Sequence, residues 1–300
     1  MKKTVSLILA LVMIMGCVFA LAACKGTDAQ NNSGESDAAD VSKDDSPEAA
    51  YVFLDEKLGI ESYAIGFRKD DKELADQVTA AYKALVKNGT YAEIGEKYPD
   101  IKDYLNLKAE DISDDEIAEQ GSGDANYTFK HGFDLDFPPY SYRQDDGTVG
   151  GFDVEMAQAL CEYLGWKYEP VPFNWDAKDA ELTAGSCDCS WSGFTLEGRE
   201  DDYCWGITYS KNEQGILVAA DSGIKTLADL AGKTVGVQTA TSAYDMLEGE
   251  DGKSELCQTF ADLKVYETYT IAFSDLKAGA IDAIAIDMTA GAFLIANDKK

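Results

Sequence analysis

Three hundred residues, 45% of them apolar, are enough to bury a core of two-domain size. Twenty-six glycines and six prolines are too few for a collagenous or wholly disordered chain. Set against 55 Asp and Glu, the 26 Lys and Arg leave a formal charge of -29, which argues against a general polyanion binder, because nucleic acid requires a basic face.

The chain opens on Lys2 and Lys3, followed by an apolar run from Val5 to Ala23 broken only by Ser6 and Gly16. This is the n- and h-region pattern of an export signal over 1-23. Leu21-Ala22-Ala23-Cys24 resembles a bacterial lipobox, in which cleavage precedes the cysteine and its thiol becomes the lipid anchor. The alternative is an uncleaved membrane span, since the run approaches the ~20 residues that crossing requires. Cleavage would remove two lysines and no acid, taking -29 to -31. Residues 24-50 then form a lipidated Cys and an acidic tether. Its polar part, 25-50, carries two Lys and seven acids with Val41 as its one sizeable apolar side chain.

Tyr63 to Lys69 alternates as a strand, and Asp70 or Asp71 can cap a helix with Leu74, Val78, Ala81, Tyr82 and Leu85 on one face. Asn88-Gly89 stops it, and Thr90-x-x-Glu93 predicts a capping box for a second helix ending before Pro99. One strand and two helices make a thin core, so this block needs the rest of the chain to fold. Residues 108-126, with one Lys and seven acids, read as a solvated connector in which Ile112 and Ile117 offer little to bury.

From Tyr127 the rhythm is strand and helix in alternation. Tyr127 to Lys130 is a strand, Phe137-Pro138-Pro139-Tyr140 a loop, and Asp153 the cap of a helix bearing Met156, Leu160, Tyr163 and Leu164. Val235 to Val237 is a buried strand before a Thr/Ser turn and a helix. Phe273 to Lys277 is helical up to Gly279, and Ile281 to Ile286 is a strand leading to a last helix. The fold class is α/β. After signal cleavage five cysteines remain beside the anchor, an odd number that leaves at least one unpaired within a chain. Cys187-Asp188-Cys189 reads as core rather than metal ligand, because no CxxC pair exists and His131 is the only histidine. No metal or cofactor is expected.

These residues resemble a known family. Gly132 to Tyr140, Val149 to Met156, Ser192-Gly193-Phe194-Thr195 with Gly198 to Tyr203, Gly223 to Gln238, and Ile281 to Asp287 are similar, in order, to the polar amino-acid solute-binding proteins of ABC importers. Tyr63 to Asp70, Asn88 to Tyr91 and Glu96 to Tyr98 resemble the segment that normally closes those proteins, yet here it comes first. The resemblance therefore implies a circularly permuted, two-lobed type II periplasmic-binding-protein fold with two hinge strands. In that arrangement 63-107 and 127-211 form lobe 1, 51-62 and 212-300 form lobe 2, and 108-126 joins the family's former ends. A 19-residue connector reaches ~60 Å when extended, so closure within one chain is easy. A monomer is the expectation, with a domain-swapped dimer as the competitor.

The resemblance also implies site roles. Arg199 would grip a ligand carboxylate, aided by the Thr195 hydroxyl and backbone groups of Ser192 and Gly193, although the loop Leu196-Glu197-Gly198 is one residue shorter than the usual pattern. On its own Arg199 reads as an ion pair with the acids 200-202. Asp287 would take the ligand ammonium, the alternative being a plain helix N-cap. Thr241 and Ser242 would reach the carboxylate from a helix start. Phe137 and Trp175 match positions that sandwich a ligand side chain, or are core. Asp134 could meet a polar side-chain tip. The expected partners are a free amino acid, an ABC permease and, through Cys24, the outer face of the cell membrane. A binding-only sensor or adhesin, or less favourably a dehydratase-like enzyme, are the competing functions.

Overall fold

The computed structural model describes residues 50-249 and 254-298. The expected export signal, Cys24 and nearly all of the acidic tether lie outside them. The described residues belong to one compact unit.

The first strands are β1 (Tyr51–Phe53) and β2 (Gly59–Phe67), the latter extending four residues upstream of the alternating stretch in the sequence. Helix α1 (Lys72–Lys87) buries Val78, Ala81, Tyr82 and Leu85, as its spacing predicts. Asp71 is its N-cap residue but makes no side-chain capping bond. Helix α2 (Thr90–Gly95) starts one residue earlier than the predicted capping box requires. Its cap is Gly89, left-handed at φ 92°, and the Thr90 N-H is taken by the Asn88 side chain instead.

The connector 108-126 departs from the expectation of a solvated strap. It makes two single 3-10 turns, Ala109–Asp111 and Asp114–Glu116. Ile112 joins the core, and Ile117 packs against it. Lys83 pairs with Glu116 and Lys87 with Asp114, while Lys87 also donates to the Ile112 carbonyl. Further along, Tyr163 donates to the Ala118 carbonyl, and Gly121 and Gly123 donate to the carbonyls of Tyr163 and Leu164. Composition missed this because acids dominate the segment. The two lysines that pair with Asp114 and Glu116 belong to α1.

Then come β3 (Thr128–Asp134), β4 (Asp136–Phe137), β5 (Ser141–Arg143), β6 (Val149–Gly150) and α3 (Phe152–Leu164). Gly151, not Asp153, caps α3, because its φ of 122° and the Tyr140 carbonyl close behind it leave no room for a side chain. After α3 follow β7 (Lys167–Phe173), α4 (Lys178–Ala184), β8 (Cys189–Ser190) and the 16-residue β9 (Cys204–Ala219). The chain ends with β10 (Thr234–Gln238), α5 (Ser242–Glu248), β11 (Asp262–Tyr266), α6 (Tyr269–Lys277), β12 (Ala283–Asp287) and α7 (Met288–Ala296).

One continuous sheet runs β11-β10-β12-β9-β2-β8-β3-β7, with β1 added on β9. Its two ends are parallel α/β arrays: β10 pairs in parallel with β11 and β12, and β3 in parallel with β7 and β8. Between them the antiparallel pair β2/β9 passes from one array to the other. This is the two-lobed type II periplasmic-binding-protein fold. One core combines Tyr63, Val78, Tyr82 and Leu85 with Phe129, Phe152, Leu160, Trp191 and Tyr209, so the block around α1 does complete its core with later residues. A second core gathers Ile216, Val218, Leu230, Val235, Val237, Leu247, Ala283 and Ala285. Cys187 and Cys189 are fully buried, as the core reading expects. No helix of the described residues is long and apolar enough to cross a membrane.

Candidate functional site

In open α/β sheets ligands approach the carboxyl ends of parallel strands, where backbone N-H groups and helix starts face outward. Here four such ends converge. β3 ends at Asp134, β8 runs into Ser192 and Gly193, β10 ends at Gln238, and β12 ends at Asp287. With Phe137, Trp175, Arg199, Thr241 and Ser242 they line one cavity. Nine of the ten residues named from the sequence thus meet in one place. Thr195 is not among the lining residues. It sits under Arg199, whose Nη1 donates to its carbonyl at 3.3 Å.

Arg199 does not pair with Glu200 to Asp202 in this structure. Its Nη2 donates to Asp245 on α5 at 2.5 Å, and the guanidinium lies 5.6 Å from the Phe194 ring centroid. Its side chain is 12% exposed, against 58% for Asp245, so the guanidinium is sheltered while its partner is wet. Two more bonds cross the cavity: Trp175 Nε1 donates to the Ala240 carbonyl at 3.0 Å, and Gln238 Nε2 to Asp134 Oδ2 at 2.9 Å. Ala240 itself holds φ 57°, an uncommon backbone for alanine at the turn between β10 and α5.

Asp287 occupies the N-cap position of α7 but makes no side-chain capping bond. Its carboxylate turns inward instead. Oδ1 accepts from Tyr63 (2.5 Å), Asn212 (2.8 Å) and Gln214 (2.7 Å), and Oδ2 from Tyr269 (2.8 Å). Burial and the neighbouring charge of Glu61 push its carboxyl well above the usual range. Asp134 is likewise pushed up to about 6 by burial, against the bonds it accepts from the Asp136 N-H and Gln238.

The loop after β8 works differently from the expectation. The Gly193 N-H points away from the cavity and donates to Asp153 Oδ2 (2.9 Å) and the Tyr209 hydroxyl (3.1 Å). It is therefore already engaged and not free to meet a carboxylate. The Ser192 hydroxyl contacts Ser141 at 2.6 Å and accepts from the Asp134 N-H at 3.2 Å. Likewise the Thr241 hydroxyl is occupied in capping α5, accepting from Tyr244 and donating to the Gln238 carbonyl. The Ser242 hydroxyl donates to Glu61. What Gly193 does supply is room. At φ 56° a Cβ there would stand 2.3 Å from Phe137 Cε1. Gly193→Ala should therefore displace Phe137, weaken ligand binding by at least about tenfold and cost roughly 1-3 kcal/mol of stability. Titration of the variant with the wild-type ligand, alongside a urea melt, checks both; unchanged affinity would contradict it.

Three residues of this region were invisible in the sequence. Asp153 looked like a cap, but it is fully buried on α3 and fastens the Ser192-Gly193 loop from behind. Gln238 ends a strand whose centre, Val235 to Val237, is apolar, and only its terminal position signals the site. Glu61 lies two residues upstream of the stretch whose alternation marks a strand in the sequence. His131 stands outside the cavity. Its ring bonds to Tyr168 and the Trp191 carbonyl, and burial pushes it down to about 4, so it stays neutral.

Residues 129-270 match the family described as bacterial extracellular solute-binding proteins, family 3. The L-cystine-binding protein TcyJ of Escherichia coli is 32% identical over 168 residues, covering 55% of this chain and 60% of that protein. The arginine-binding extracellular protein ArtP of Bacillus subtilis is 31% identical over 171 residues, covering 56% of this chain and 64% of that one. Each match thus takes in less than two thirds of the curated relative. Among solved structures, an ABC uptake transporter substrate-binding protein from Streptococcus pneumoniae with bound histidine superimposes with a TM-score of 0.51. It is 32% identical and matched over 56% of this chain and 70% of that one.

Proposed function

The chain belongs to the bacterial extracellular solute-binding proteins of family 3, and from that premise we propose that it captures a free amino acid between its lobes and delivers it to an ABC permease. The observation that carries this reading is the polarity of the cavity. A zwitterion presents a carboxylate and an ammonium, and each must find a partner when water leaves. Arg199 stands on one wall, with donors in a fork that matches a carboxylate, and Asp287 stands at the end of β12 with its carboxylate turned inward. Phe137 and Trp175 give the side chain an apolar seat, and Asp134 a polar end. Lobe 1 contributes Asp134, Phe137, Trp175, Ser192, Gly193 and Arg199; lobe 2 contributes Thr241, Ser242 and Asp287, with Gln238. Ligand would stabilise the closed arrangement through contacts that an open one lacks.

The export signal and Cys24 make this an anchored lipoprotein on the outer face of the membrane, an assignment that rests on the lipobox residues alone. Detergent dependence of its release from cells tests it. The permuted order is also part of the proposal. Its support is that β2 and α1, which resemble the family's closing segment, pair with β9 and pack on α3, while the connector is bonded to α1 and α3. A swapped dimer by light scattering would reject the intrachain version.

A thermal-shift screen of the purified protein against the twenty common L-amino acids and L-cystine tests the function. At a ligand concentration near 100 Kd one or a few of them should stabilise the protein by about 2.7 kcal/mol. A flat screen would remove the proposal.

A further inference from the structure

Behind the cavity wall the register of three strands sets two carboxyl groups against each other. Asn212 on β9 lies opposite Glu61 on β2, and Gln214 on β9 lies opposite Asp287 on β12. Residues directly opposite one another present their side chains on one face of the sheet, so all four meet there. Asn212 Nδ2 donates to Glu61 Oε1 at 2.6 Å and to Asp287 Oδ1 at 2.8 Å; Gln214 Nε2 donates to the same two oxygens at 2.8 and 2.7 Å. The two carboxyl oxygens therefore share both amide donors. Glu61 is 1% exposed and Asp287 3%.

Among the described residues the donors to this pair are neutral groups: the two amides, the Tyr63 and Tyr269 hydroxyls on Asp287, and the Ser242 hydroxyl on Glu61 Oε2 at 2.6 Å. The charged and titratable groups that face it are Tyr63 from β2, Tyr269 from α6, Tyr140 from the loop before β5, and across the cavity Asp134 and Arg199. Arg199 is engaged by Asp245. Among the described residues no cation is bonded to the pair. Gln214 Oε1, in the same cluster, is a buried acceptor with no donor. Two like charges this close in a dry site cannot both be sustained without a proton or a cation.

We propose that Glu61 is a positioning residue of the ammonium subsite: set against Asp287 behind two shared amides, it keeps a proton on the Asp287 carboxyl until the ligand's ammonium arrives and that proton leaves to solvent. The proposal rests on the amino-acid reading of the cavity. Glu61 does not line the cavity; it acts through Asp287 and Ser242, which do. On binding, one carboxyl O-H bond breaks, its electron pair stays on the carboxylate, and the proton passes to buffer. The ammonium keeps its three N-H bonds and supplies the positive charge that the deprotonated Asp287 needs in this dry site. Burial and the charge of Glu61 raise the Asp287 carboxyl, in keeping with a proton held near neutral pH.

Calorimetry of the tightest-binding amino acid from the screen, at pH 7.0 in buffers of different ionisation enthalpy, counts the protons. Between about 0.5 and 1 proton should be released per ligand, and affinity should rise by up to about tenfold per pH unit from pH 6 to 8. Glu61→Gln should still bind while its release falls to less than half the wild-type value and its pH profile flattens. A role of Glu61 in packing alone would leave the proton count unchanged. Asp134 is common to both proteins and drops out of the comparison. Wild-type binding with fewer than about 0.2 protons released, or with uptake, overturns the proposal even if the variant does not fold. Absence of binding by any amino acid removes the functional reading instead.

Discussion

Arg199→Ala should abolish amino-acid binding, weakening it by at least about a hundredfold, while leaving the fold in place. Charge-assisted bonds between an arginine fork and a carboxylate are worth roughly 1.5-3 kcal/mol, and stranding the buried ligand carboxylate adds to that loss. The stability cost is small, because in this structure the guanidinium spends its charge on the 58%-exposed Asp245, and ion pairs with so wet a partner contribute about 0-1 kcal/mol. Arg199→Lys separates charge from geometry: it keeps the cation but loses the fork, and should recover only part of the affinity. Asp245→Asn is the converse control. It removes a competitor for the guanidinium and should leave affinity equal or a few-fold higher. Calorimetry on the three variants decides the matter, and full affinity in Arg199→Ala would sink the assignment.

The lobes and the site were legible in the sequence to different depths. Helical spacing placed α1, α3 and α6, because an amphipathic stripe is written directly in residue order. Helix starts were read less well. Thr90 and Asp153 both carry the side chains of good caps, but a glycine one residue upstream of the first and two upstream of the second took the job by adopting positive φ. The connector failed for a related reason: its acids found Lys83 and Lys87 on α1, and local composition holds no record of a partner 27 or 33 residues away.

At the site, residue types that advertise ligand chemistry, such as Arg199 and Asp287, could be picked out by resemblance to a family. Residues that hold those groups in place could not. Asp153, Gln214 and Glu61 are polar side chains in otherwise buried surroundings, and their roles depend on register across strands that are far apart in the chain. Gln214 on β9 meets Glu61 from 153 residues upstream and Asp287 from 73 residues downstream. The same blindness applies to Gly193 and Ser192. The resemblance implied that backbone groups of both meet the ligand, whereas the structure engages the Gly193 N-H in fastening the loop; the Ser192 hydroxyl, which carried no such expectation, contacts Ser141.

That fastening should be visible in stability against pH. Burial pushes the Asp153 carboxyl up to about 7, outweighing the Tyr209 hydroxyl, the Gly193 N-H and the Trp191 indole, which favour the charged form. A carboxyl raised in the folded state binds more protons there than in the unfolded chain between its unfolded value, near 4, and its folded one. Its stabilising contribution is therefore complete below about pH 4 and is lost as pH rises towards 7, a decline on the order of 3-4 kcal/mol. His131 acts in the opposite sense: lowered to about 4 by burial, it costs stability as pH falls below its unfolded value near 6.5. The two effects largely cancel in the wild-type curve. They separate in Asp153→Asn, since His131 is unchanged there. Relative to wild type, that variant should gain several kcal/mol between pH 4.5 and 7.5 and nothing more above pH 8, whatever constant offset the amide introduces. Urea melts across that range supply the measurement, and a pH-independent difference would refute the buried, proton-holding role of Asp153. The same variant should bind amino acid more weakly above pH 7, by about tenfold, because a neutral amide holds the Gly193 N-H less firmly than a carboxylate does. Stability gained where affinity is lost would identify Asp153 as a charge kept in the core to hold the Ser192-Gly193 loop against Phe137.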